Sequence, residues 1–200
     1  MPNTSGQAQV LIVLTPILPD REGVVRETIA ALPTGADSPL ARTGKAHFGR
    51  WVIINRLLYS GPPQQRDTLH SPYLLFTSHF DGALDAYLDD LCAHLPAELD
   101  AIYRHCVGYP GARDAGALKD WLRRDQLDAA LYFAAYGQAS LNQVLTALEF
   151  RDRLRAFALG AQGLDPAALQ AAYHRAFGFG APRERSLVPA GSAAFAAEEK

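Results

Sequence analysis

The chain has 200 residues, 48% of them apolar, enough for one well-buried core with appended helices. Nineteen Lys and Arg stand against 21 Asp and Glu, a formal net charge of −2, and the basic residues are scattered, so nucleic acid is not an expected partner. The first apolar run is too short for a membrane span and has no basic residue ahead of it, and the two cysteines, Cys92 and Cys106, have no C-x-x-C partner. A cytoplasmic protein with reduced thiols, no membrane span and no zinc knuckle is expected.

"QVLIVLTPI" (Gln9 to Ile17) is rich in β-branched residues and predicts a buried strand. A helix follows, with Val25, Ile29 and Leu32 at helical spacing, Asp20 as its cap and Pro33 as its stop. After a polar loop, "HFGRWVIINRLLY" (His47 to Tyr59) reads as a second strand. A proline-rich connection leads to a third, "YLLFTS", antiparallel to the second. Leu84, Tyr87, Leu88, Leu91 and Leu95 then form an apolar stripe that predicts a helix ending near Pro96.

Leu118, Trp121 and Leu122 mark a short helix capped by Asp114. Of two stretches suited to a fourth strand, "ALYFAAY" (Ala130 to Tyr136) is preferred to "DAIYRHCVGY" for its aromatic content. Ser140 and Gln143 suggest a capping box for a long helix beginning Leu141, Val144, Leu145, Leu148. Asp165 and Pro166 start a last helix carrying Leu169, Tyr173 and Phe177. From Gly178 the composition turns to Gly, Pro, Ala and Ser without a period, as in a flexible tail.

The expected fold class is therefore α+β: a ferredoxin-like βαββαβ antiparallel sheet with additional C-terminal helices. The domain would span residues 1–160, an appended helix 161–177 and the tail 178–200. Helices on one face leave the other sheet face apolar and open, which predicts a homodimer formed by pairing of two sheets, with a ligand cleft between sheet and helices in each subunit.

Alternation puts Phe48, Arg50, Val52 and Ile54 on one face of the second strand and Trp51 and Ile53 on the other. Antiparallel pairing brings His47 and Arg50 toward His79 and Asp81, so an Arg50–Asp81 ion pair able to hold a carboxylate or phosphate is one expectation. The other is a solvated Arg50 with Asp81 capping the helix after Gly82. Arg113, in the loop "GARD", and Tyr132 are further candidates for ligand contact, as Tyr87, Trp121 and Tyr136 are for lining a cleft. None of the six histidines has the spacing of a local zinc pair, so a metal or haem ligand would come from distant segments; His79 and His105, each beside apolar sequence, are the candidates. There is no dinucleotide fingerprint, P-loop or nucleophile elbow.

His47 to Trp51, Ser78 to Gly82, Gly111 to Asp114, Trp121, Gln126 and Tyr132 to Tyr136 resemble a group of bacterial proteins without an assigned activity. That group carries H-F-A-R-W, S-N-[FY]-D-G and G-A-R-D motifs. The match covers a little over half the chain, with Gly49 in place of Ala and His79 in place of Asn. The broader plan is similar to the dimeric α/β-barrel proteins, which include cofactor-free monooxygenases and haem-dependent peroxidases. Three functions follow as expectations. The first is a small-molecule-binding protein, acting on an apolar or aromatic ligand in oxygen or peroxide chemistry without a cofactor, with His47, Arg50 and Asp81 orienting the ligand. The second is a haem-dependent peroxidase-like enzyme with His79 or His105 axial and Arg50 or Asp81 distal. The third is a non-catalytic accessory protein that binds another protein.

Overall fold

A computed structural model describes residues 3–178, and the expected tail lies almost wholly outside them. The sheet begins with a two-residue strand, β1 (Thr4–Ser5), which turns at Gly6 into β2 (Ala8–Pro16). Helix α1 (Glu22–Ala30) follows, then two short 3-10 turns, β3 (Ala46–Ile54) and β4 (Tyr73–Asp81). The strands form one antiparallel sheet in the order β1-β2-β4-β3. Helices α2 (Leu84–His94), α3 (Pro96–Tyr103) and α4 (Ala115–Arg124) complete the unit Met1–Leu141.

Alternation divides the sheet's residues as expected. Leu11, Val13, Leu74, Phe76 and Phe80 are buried on the helix-bearing face, against Tyr87, Leu88 and Leu91 of α2 and Leu99, Ile102 and Tyr103 of α3. Trp51 stacks on Phe76 at 4.8 Å between ring centres and donates its indole N–H to the Tyr103 hydroxyl at 3.2 Å. Burial holds the Tyr103 hydroxyl far above its ordinary pKa, so it stays a neutral partner. Gly49 faces this layer too: a Cβ there would lie 2.3 Å from Leu40 Cδ1, so its bare backbone makes room for Leu40. The space expected to hold a ligand cleft, between sheet and helices, is occupied by this core.

Several expectations are corrected. Asp20 does not cap α1: it adopts a left-handed φ of 61°, and Arg21 stands at the N-cap without a side-chain bond. β3 stops at Ile54 rather than Tyr59, because its last partner is Tyr73, which follows Pro72, a residue with no N–H to extend the ladder. β4 continues through Ser78 and His79 to Asp81, so the polar pair lies in a strand, and Gly82, with φ 85°, makes the turn. "DAIYRHCVGY" begins in α3, which Pro96 opens at its first position and whose Leu99, Ile102 and Tyr103 face the core.

Ala130–Tyr136 is not a strand. The edge of β2 that it would need is already taken. Thr4 and Ser5 pair with Gln9 and Ala8, and further along Val13 bridges Gln126, with Leu14 N–H donating to Asp125 and Leu127 N–H to Ile12. Hydrogen bonds tie the chain down just before and just after this segment, where Ala129 N–H donates to Asn3 Oδ1 at 2.7 Å and the Gly137 carbonyl accepts from Gln7 N–H at 2.6 Å. Asp114 caps α4 as expected, accepting from Ala117 N–H at 3.1 Å. Both cysteines are free thiols, Cys106 buried and Cys92 half-buried.

The second compact unit begins at Asn142 and is described to Gly178. It holds most of α5 (Leu141–Gly160) and all of α6 (Pro166–Phe177). Asp165 caps α6 through Ala167 and Ala168 N–H, and Phe157 packs edge-on to Tyr173 and Phe177. No helix among the described residues is long and apolar enough to cross a membrane.

Candidate functional site

The face of the sheet away from α2 and α3 is a ladder of cross-strand rows. Ala8 lies opposite Asp81, Val10 and Phe48 flank His79, Ile12 and Arg50 flank Thr77, and Leu14 and Val52 flank Leu75. Val10 and Thr77 are buried, whereas Phe48 is 63% exposed, so the face is covered toward β2 and open toward β3.

One irregularity builds the site. Ala46 pairs with Phe80 and Phe48 with His79, so His47 is an extra residue in β3, a β-bulge. Strict alternation would have sent the His47 imidazole to the core side. The bulge instead lets it reach Asp81, with Nε2 2.7 Å from Oδ1 and the two side chains only 9% and 13% exposed. The ring N–H donates to the carboxylate. The other carboxylate oxygen accepts the backbone N–H of Leu141, the first residue of α5. Asp81 therefore does not cap α2, whose N-cap is Ala83, and it does not pair with Arg50.

His47, Phe48, His79 and Ala8 form the floor of a cavity of about 240 Å³, and Tyr132, Phe133, Tyr136 and Ala139 form its roof. The Tyr132 hydroxyl lies 3.3 Å from His79 Nδ1, and Phe48 meets the His79 ring edge-on at 6.3 Å. Burial and then the charge of Arg50 hold His79 below the ordinary histidine pKa, and burial and then the Asp81 charge raise that of Tyr132. At neutral pH the cavity thus presents a neutral imidazole and a neutral phenol.

The depressed value fixes a pH dependence. Below the ordinary value of 6.5 the unfolded chain takes up a proton at this position before the folded chain does. His79 therefore contributes its full stability above that pH, and the contribution is lost as pH falls from there through the folded-state value. Urea midpoints measured from pH 7.5 to 5 should fall for the wild type and fall less for His79→Gln. Equal slopes would contradict this assignment.

Arg50 lies one row along the same face, its Nε–H donating to Thr77 Oγ1 at 3.1 Å. Arg113 is exposed in the loop before α4. His105 belongs to the opposite end of the sheet, where Ile17 bridges Cys106 and Leu18 N–H donates to the His105 carbonyl. The structure thus brings together His47, His79, Asp81 and Tyr132, keeps Arg50 adjacent, and leaves Arg113 and His105 apart. The residues do not fit a haem. His105 cannot share a pocket with Arg50 or Asp81, and the cavity beside His79 is below the roughly 300 Å³ at which pockets begin to enclose drug-sized molecules. Among the described residues no group of three or more His, Cys, Asp or Glu could hold a metal ion.

Tyr132 and Tyr136 were singled out from the sequence, whereas Thr77, Ala8, Phe133 and Ala139 were not. Thr77 was accessible to it, since extending the third strand to Asp81 places residue 77 opposite residue 50. Phe133 and Ala139 were not, because no period marks that segment. The chain matches no family model, no curated protein and no solved structure.

Proposed function

We propose that this protein binds a small apolar or aromatic molecule bearing a polar group, in the cavity between the outer sheet face and residues 132–139. The observation that carries this reading is the convergence of His47, His79 and Tyr132 on one cavity otherwise lined by Phe48, Phe133, Tyr136 and alanines. A ring can lie against Phe48 and Phe133, while the imidazole of His79 and the Tyr132 hydroxyl meet its polar group. His47 commits one nitrogen to Asp81 and keeps Nδ1 for a bound molecule, the arrangement of a general base held in one tautomer. Proton abstraction from a bound hydroxyl or activated C–H is the step it equips, and oxygen chemistry without a cofactor would begin there.

The fold in this reading is a ferredoxin-like one. It is supported by the order of the three long strands, β2-β4-β3, and by Asp125–Leu127 lying antiparallel beside β2, where a fourth strand would stand. Two copies would pair at the exposed Val52 end of this face, beyond Arg50.

Titration with phenol and with 3-phenylpropanamide, followed by NMR, tests the cavity. Both should shift the His79 and Tyr132 resonances saturably. Ala139→Phe, which fills the space with a ring of the protein's own, should abolish the shifts while leaving the fold intact. Shifts that miss both residues, or that survive the filled cavity, would refute the assignment.

A further inference from the structure

Arg50 is the cation in a row of β3 otherwise made of Phe48, Val52 and Ile54, and it stands exposed on that face. Its Nε–H is fixed by Thr77, which orients the guanidinium and leaves the two terminal NH₂ groups for another partner. Among the described residues no carboxylate forms an ion pair with it. The acid on this face, Asp81, lies two rows beyond Thr77, about 13 Å along the strand, and is already held by His47 and Leu141. Arg50 is one row from Phe48 and His79, about 7 Å from the cavity floor.

That spacing spans one aromatic ring and a short linker. We infer that Arg50 reads the anionic end of the ligand, so that the molecules this site takes are aryl carboxylates with the ring in the cavity and the carboxylate on the guanidinium. This rests on the reading of the cavity given above. A planar guanidinium with one edge pinned and the other free matches a carboxylate in two parallel hydrogen bonds, which a lysine could not supply. The apolar surroundings strengthen the attraction by excluding water from one side of the pair. Phe48, exposed between the cavity and Arg50, would cover the linker.

The test compares 3-phenylpropanoate with its neutral isostere 3-phenylpropanamide by calorimetric titration of the full chain. The carboxylate should bind the wild type about tenfold or more tightly than the amide. Arg50→Gln should bring the two affinities to within about twofold by weakening only the carboxylate, and Arg50→Lys should restore part of the preference. Arg50 is exposed, so these variants should keep the wild-type urea midpoint. Equal affinities in the wild type, or a preference that persists in Arg50→Gln, would overturn the role of Arg50 and leave the cavity reading standing. Failure of both probes to bind would overturn the two together. Sedimentation that shows Arg50→Gln dissociating an oligomer would assign the cation to a contact between copies and end the inference.

Discussion

Asp81→Ala is expected to destabilise the chain by about 2–4 kcal/mol in urea denaturation. The carboxylate holds two nearly buried donors at once, the His47 ring N–H and the Leu141 backbone N–H. Hydrogen bonds to charged groups are the strong ones, and each donor left without a partner inside the protein keeps its desolvation cost. Asp81→Asn recovers only part of the loss, because the amide has one oxygen for two donors and turns an NH₂ group toward one of them. A double-mutant cycle with His47→Ala separates the two contacts. A coupling of about 1–2 kcal/mol belongs to the His47 pair, and what Asp81→Ala still costs in the His47→Ala background belongs to Leu141. Additive losses would mean that the short His47–Asp81 distance carries no energy.

Much of this geometry was legible in the sequence, and its limits have physical causes. The division of β3 into Phe48, Arg50, Val52 and Ile54 on one face and Trp51 and Ile53 on the other follows from the period of a pleated strand, and the structure keeps it. The neighbourhood of His47, His79 and Asp81 followed from antiparallel pairing. Which of them bond did not, because a bulge is a single unpaired residue that leaves no trace in a hydropathy pattern, and here that residue is His47. The bulge gives the carboxylate to His47, while Arg50, two rows from Asp81, stays with Thr77.

The fourth strand failed for a different reason. The aromatics of Ala130–Tyr136 are good β-formers, but strand formation needs a free edge, and the hairpin at Gly6 had already brought Thr4 and Ser5 onto β2. Its aromatic side chains then serve as the roof of the cavity, so the residues that misled the strand assignment are those that make the site.

Phe80→Ala and His79→Ala, neighbours on β4, should separate stability from binding. Phe80 is fully buried on the helix-bearing face and stacks on Tyr87 at 4.0 Å with rings 7° from parallel. Truncating it leaves a cavity between β4 and α2 that the flanking core cannot fill, at a cost of about 3–5 kcal/mol. Urea denaturation should show this, with probe binding at the unfolded-corrected protein concentration nearly unchanged. His79 points the other way, is half-buried and packs against only the Phe48 edge and Tyr132. Its removal should cost less than about 1 kcal/mol, since the cavity it widens is already open to solvent. Binding of phenol should fall about fivefold or more, because the imidazole that meets its hydroxyl is gone. The two substitutions touch the same strand one residue apart, on opposite faces of the sheet. Equal loss of stability in both variants would mean that residues 132–139 and the outer face form a second core rather than a binding cavity, and Ala139→Phe would then stabilise the chain instead of blocking it.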